Sequence, residues 1–82
     1  MTAPTWRPLA GYSDARHRAK DAERRARRYR EADKPEQAAR AERLREAYSR
    51  ASIAIGRGRP LAEVNTSVGA YIATRHPAKE TP

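Results

Sequence analysis

The chain contains no cysteine and no phenylalanine, and bulky aliphatic residues are few. Each shortage excludes something. Without cysteine there are no disulfides and no cysteine-based zinc sites. Leu, Ile and Val together number eight in 82 residues, so most of the 38% hydrophobic content is alanine. No run is long and apolar enough for a membrane span or for the core of a signal peptide. A chain of this length and composition buries a modest fraction of its surface, and its fold is expected to be marginal alone. Acidic residues are also in deficit, ten against eighteen Lys and Arg, for a formal net charge of +8. Charge of that sign and density favours a polyanion: DNA, RNA or an anionic surface.

What the chain does have is arginine and alanine, fifteen and seventeen copies respectively. Both are strong helix formers, and their order predicts an all-α fold. Residues 1–12, with Pro4, Pro8 and Gly11 around Trp6, Leu9 and Tyr12, read as an extended arm. The arm either docks on the helices or stays loose. Residues 13–75 read as one small helical domain, and 76–82 as a disordered tail. Ser13 or Asp14 is expected to cap a first helix reaching about Ala32. Ala15, Ala19, Ala22, Ala26 and Tyr29 repeat at spacings of four and three, which makes a coiled-coil-like seam of small residues. A break at 33–36, with Pro35 suited to the first helical position, leads to a second helix. Its stripe is Ala41, Leu44, Tyr48, Ala51 and Ile55. So short a connection implies an antiparallel hairpin. Gly56 ends that helix, and Pro60 can open a shorter third one with Leu61, Val64, Val68, Tyr71 and Ile72 on one face. Asn65, Thr66, Ser67 and Gly69 weaken this last helix and could split it in two.

Two groups of basic residues stand out. Several acids precede an arginine by four positions: Asp14–Arg18, Asp21–Arg25, Glu23–Arg27, Glu36–Arg40 and Glu46–Arg50. Such pairs read as solvated faces, each adding roughly 0.2–0.5 kcal/mol of helix support. The cations left over are Arg16, Lys20, Arg24 and Arg28, four residues apart, flanked by Arg27 and Arg30. They form a ridge opposite the alanine seam, about 18 Å long at 1.5 Å per residue. A helix that packs through alanine and shows arginine outward is shaped to lie along phosphates.

The second group is Arg57-Gly58-Arg59, two arginines around a glycine. An extended tripeptide of this kind fits the narrow minor groove of A·T-rich DNA. The order resembles the core of AT-hook peptides, with Gly56 in place of their leading proline. It also resembles the Arg-Gly-Arg turn of the H-NS-like xenogeneic silencers of actinobacteria. There the turn joins two helices, and an Ala-acid-Val helix start follows, as Ala62-Glu63-Val64 does here. The likeness covers about eight residues. It implies that Arg57 and Arg59 enter the minor groove while Gly58 permits close approach. The silencers carry a β-containing oligomerisation domain at the N-terminus, where this chain has an Arg/Ala helix.

Nothing in the sequence points to catalysis. His17 and His76 lack acid or cysteine neighbours at metal-ligand spacing, the serines have no His-Asp partners, and no cofactor or metal is implied. Tyr29, Tyr48 and Tyr71 are expected in the core rather than as base-stacking groups. The sequence therefore leads to the expectation of a small, basic, non-enzymatic DNA-binding accessory protein of the cytoplasm or nucleoid, serving nucleoid association, transcription, or a phage or other mobile element. Its nucleic-acid-binding residues would be Arg16, Lys20, Arg24, Arg27, Arg28, Arg57, Gly58 and Arg59, and DNA is favoured over RNA. The alternatives are a helical interaction module docking on an acidic protein (a small phage-type inhibitor or assembly factor), with the alanine seam open to a partner helix or second copy, and an RNA- or ribosome-associated protein. Membrane binding is not expected, because the first helix sets only alanine and one tyrosine opposite its charges.

Overall fold

The computed structural model describes residues 6–75; the expected tail, 76–82, lies outside them. The fold is all-α, with α1 at Tyr12–Glu31, α2 at Pro35–Gly56 and α3 at Leu61–Arg75. Helices α1 and α2 pack side by side as an antiparallel hairpin. The shorter α3 folds back on α2, giving a slab of 38 × 31 × 15 Å. No helix among the described residues is long and apolar enough to cross a membrane.

The alanine seam is the hairpin's inner face. Ala15, Ala19, Ala22 and Ala26 of α1 are buried, as are Ala38, Ala41 and Ala51 of α2. Alanine contributes little transfer free energy per residue. Its small size instead lets the two helices approach closely, so that backbone as well as side-chain atoms make dispersion contacts. The seam is thus covered within the chain, and is not the open surface for a partner helix or second copy that the sequence suggested. Arg30 Nη1 donates to Glu42 Oε2 at 2.6 Å and ties the two helices near their connection. Hydrogen bonds from Arg30 and Arg45 hold the Glu42 carboxyl below its ordinary range.

The start of α1 differs from the expectation. Tyr12 opens the helix and Gly11 occupies the cap position without a side-chain cap bond, so neither Ser13 nor Asp14 is the N-cap. Asp14 sits in the first turn and reaches back to accept the Ala10 N–H at 3.0 Å. That backward reach satisfies a donor ahead of the helix, as the acid of a capping box does. The same Ala10 hydrogen bond is the main reason the Asp14 carboxyl lies below its ordinary value of 3.8, with Arg18 adding to the effect. A lowered carboxyl pKa contributes stability above its unfolded value, and the contribution disappears as pH falls through the folded one. Acid titration of unfolding should therefore show stability falling below about pH 4, less steeply in Asp14→Asn than in wild type.

Both helix ends close with Schellman geometry, in which a left-handed residue turns the chain and the next two amides bond back into the last turn. At α1, Lys34 N–H donates to Tyr29 O (2.8 Å) and Asp33 N–H to Arg30 O (3.1 Å), with Asp33 at φ +60. An L-residue with a side chain is disfavoured there and glycine is not. Asp33→Gly should raise stability by about 0.5–1 kcal/mol, read as a higher midpoint in urea unfolding. Pro35 takes the first turn of α2, as expected.

Residues 1–5 of the expected arm lie outside the described residues; the described part, 6–11, is docked, and its docking explains the composition of α3. Leu9 is 2% exposed and joins a core built from Ala15, Ala19, Tyr48, Ala51, Val64 and Val68. Its backbone is clamped by one side chain: Leu9 N–H donates to Asn65 Oδ1 (2.7 Å), and Asn65 Nδ2 donates to Leu9 O (3.1 Å). The Trp6 ring lies over Gly69, where a Cβ would stand 3.3 Å from it. Asn65 and Gly69 argued against a helix by propensity. Here they are the receptors for the arm, and α3 runs unbroken.

Arg18 secures the other side of the arm. It donates to Arg7 O at 2.7 Å and Pro8 O at 3.2 Å, pairs with Asp14 at 3.0 Å, and lies 5.7 Å from the Tyr48 ring centre. Its side chain is only 13% exposed. The Asp14–Arg18 pair is therefore a tertiary joint and not the solvated surface pair that its spacing alone implied.

Candidate nucleic-acid interface

On α1, the inward alanines leave the other positions to solvent. Arg16, Lys20, Arg24, Arg27 and Arg28 are all exposed. The i,i+4 pairing expected from the sequence forms at Asp21–Arg25 (3.4 Å) and Glu46–Arg50 (3.1 Å). Among the described residues, Glu23–Arg27 and Glu36–Arg40 make no such bridge. Among the described residues, only Arg24 of the ridge meets an acid, Asp21, at 3.4 Å. Lys20, Arg27 and Arg28 have no ion-pair partner among the described residues.

The ridge continues across the end of the hairpin. Arg16 lies 5.9 Å from the Tyr12 ring centre and donates to the Tyr12 hydroxyl at 3.3 Å. The Tyr12 ring in turn packs against Gly56, where a Cβ would be 3.5 Å from it. Arg57 follows immediately. Because the hairpin is antiparallel, the first turn of α1 meets the last turn of α2, and two basic groups forty residues apart in sequence come to share one edge. Tyr12 and Ile53, 46% and 54% exposed, are the large apolar side chains on this edge. Glu23 shares a shallow depression there with Arg16, Lys20 and Arg45.

The Arg57–Arg59 turn joins α2 and α3, and all three residues are exposed. Its conformation is not the extended one expected. Gly58 N–H donates to Ile55 O (3.0 Å) and Arg59 N–H to Ala54 O (3.1 Å), with Gly58 at φ +94. The tripeptide is a compact Schellman cap with Gly58 as its left-handed residue. Gly56 is the last residue of α2, as expected, and Arg57 is the C-cap that follows it. Arg59 pairs with Glu63 at 3.3 Å, both side chains being more than half exposed. A pair that exposed is worth little and is readily exchanged for another anion.

A second basic surface escaped the sequence reading. On the opposite flank, α1, α2 and the arm line an open groove of 640 Å³, with Trp6 and Arg7 contributed by the arm. His17, Arg25 and Arg40 line it, with Tyr29 and Leu44. His17 thus belongs to this groove. Tyr29 is half-buried along it, and of the three tyrosines expected in the core only Tyr48 is buried. No sequence signal could place Arg7, His17 and Arg40 together, because they come from the arm, α1 and α2. Among the described residues no three His, Asp or Glu side chains are grouped to hold a metal ion. Compared with protein-family models, curated proteins and solved structures, the chain matches none.

Proposed function

We propose that this protein is a nucleic-acid-binding accessory protein that lies along duplex DNA with the edge formed by α1 and the α2–α3 turn. The observation that carries this reading is the line of cations from Arg28 through Arg24, Lys20 and Arg16, over Tyr12, to Arg57. Most of that line has no carboxylate partner among the described residues. A rigid helix presenting them needs no ordering on binding, so the free energy of releasing counterions from DNA is not spent on folding. Arg57 and Arg59 would enter an A·T-rich minor groove as side chains projecting from a preformed cap. An extended strip would first have to break both cap hydrogen bonds.

The test is a fluorescence-anisotropy titration of short A·T-rich and G·C-rich duplexes across a salt series. Binding should weaken steeply with salt. It should favour the A·T duplex by about tenfold, the size of one good contact in free energy. Arg57→Ala/Arg59→Ala should equalise the two duplexes. Absence of salt-dependent binding to either duplex would refute the DNA reading and leave an acidic protein or structured RNA as the partner.

A further inference from the structure

We infer that the groove between α1 and α2 beneath Trp6 binds a short single-stranded stretch of nucleic acid. The inference extends the nucleic-acid reading to a different surface of the molecule. Three observations carry it.

The first is shape. The groove runs along α1 from Asp14 to Tyr29, about 22 Å at 1.5 Å per residue. That is the track of a few linked units and not a pocket for one small molecule.

The second is charge. Four arginines and a histidine line the groove against two aspartates. Both aspartates are already engaged, Asp14 by Arg18 and Asp21 by Arg24 and Arg25. His17 and Arg40 have no acidic partner among the described residues, Arg7 is close enough to Asp14 to help lower its pKa, and all three are exposed. They stand on the arm, α1 and α2, so the cations surround the groove instead of forming one stripe.

The third is the aromatic groups. Half-buried Trp6 and Tyr29 line the groove toward its opposite ends. The Trp6 indole N–H is buried without a hydrogen-bond acceptor among the described residues. An unmet buried donor is costly. Cations following a backbone, with rings on which bases stack, are the common solution to binding single strands without regard to sequence. A duplex has no free base faces to offer those rings. An acidic peptide would use the cations and leave the rings idle.

Trp6 is the only tryptophan in the chain, so its fluorescence reports occupancy of this groove directly. Titration with a thymidine oligomer of about eight nucleotides, within the range of single-strand site sizes, should quench Trp6 saturably. Arg40→Ala and Tyr29→Leu should each weaken the quenching at least about tenfold, the equivalent of one phosphate or stacking contact. Far-UV circular dichroism should confirm that both variants keep wild-type helicity. No quenching by the oligomer would overturn the proposal, as would quenching indifferent to both variants or equal quenching by poly-glutamate. The duplex titration is read separately by anisotropy. Duplex binding without quenching would reject the groove alone, and quenching without duplex binding would reject the α1 edge alone.

Discussion

Replacing Arg16, Lys20 and Arg28 with glutamine should lower affinity for duplex DNA on the order of 100-fold at about 0.1 M salt, whatever the base sequence. The slope of log K against log salt should become less negative by roughly 2.7, since each phosphate contact contributes about 0.9. The reasoning is local. Lys20 and Arg28 have no acidic partner among the described residues, and Arg16 is held only by the Tyr12 ring and hydroxyl. None therefore gives up an internal ion pair to reach a phosphate, and none leaves a carboxylate uncompensated when removed. Arg24 is omitted from the triple variant for that reason, because its loss would weaken the compensation of Asp21. Helix α1 should survive the change, since glutamine has nearly the helix propensity of arginine and lysine. A slope unchanged from wild type, measured by anisotropy over a salt series, would show that DNA does not lie on this edge.

The second large effect is on stability. Leu9→Ala should cost about 2–4 kcal/mol, the range for a buried leucine that leaves a cavity. For a domain of this size each kcal/mol corresponds to roughly 4–8 °C in Tm, so a large downward shift is expected in thermal unfolding. Leu9 is the one bulky aliphatic residue before position 43, and it fills the space between the hairpin and α3. Asn65→Ala should act on the same joint by a different route. It leaves the Leu9 N–H and carbonyl unpaired in a part-buried site, at about 1–3 kcal/mol. The two residues touch, so the double variant should cost less than the sum. Amide exchange should distinguish this from general loosening. Protection should fall first in α3, while the alanine-sealed pair α1–α2 retains more of it. Equal loss in all three helices would mean that the arm stabilises the whole molecule and not this one joint.

The ridge and the joint show how differently the two features are encoded. The ridge follows from periodicity alone. Once alanine at spacings of four and three fixes which side of α1 faces inward, Arg16, Lys20, Arg24 and Arg28 must face outward. The same holds for the hairpin, where a three-residue connection with Pro35 at the start of α2 leaves an antiparallel neighbour as the only arrangement. The joint obeys no such rule. Asn65 and Gly69 oppose helix formation by propensity, and a local rule can only count that against α3. Their purpose appears when the arm is laid across them, because the Asn65 amide then bonds the Leu9 backbone in both directions and Gly69 makes room for the Trp6 ring. Arg18 is misread for the same reason: its spacing from Asp14 is that of a surface pair, yet its remaining donors go to the carbonyls of Arg7 and Pro8.

By itself, then, the sequence determined the helical class, the pairing of α1 with α2, the alanine seam and the outward row of cations. All of these depend on contacts within a turn or two of helix or across one short connection. Only the tertiary structure decided that the seam is closed within the chain, that the arm is a core element, and that Arg57 stands at the end of the α1 ridge. It alone brought Arg7, His17 and Arg40 around one groove. These are meetings between residues far apart in the chain, and they depend on how the arm and α3 settle against the hairpin, which no local spacing specifies.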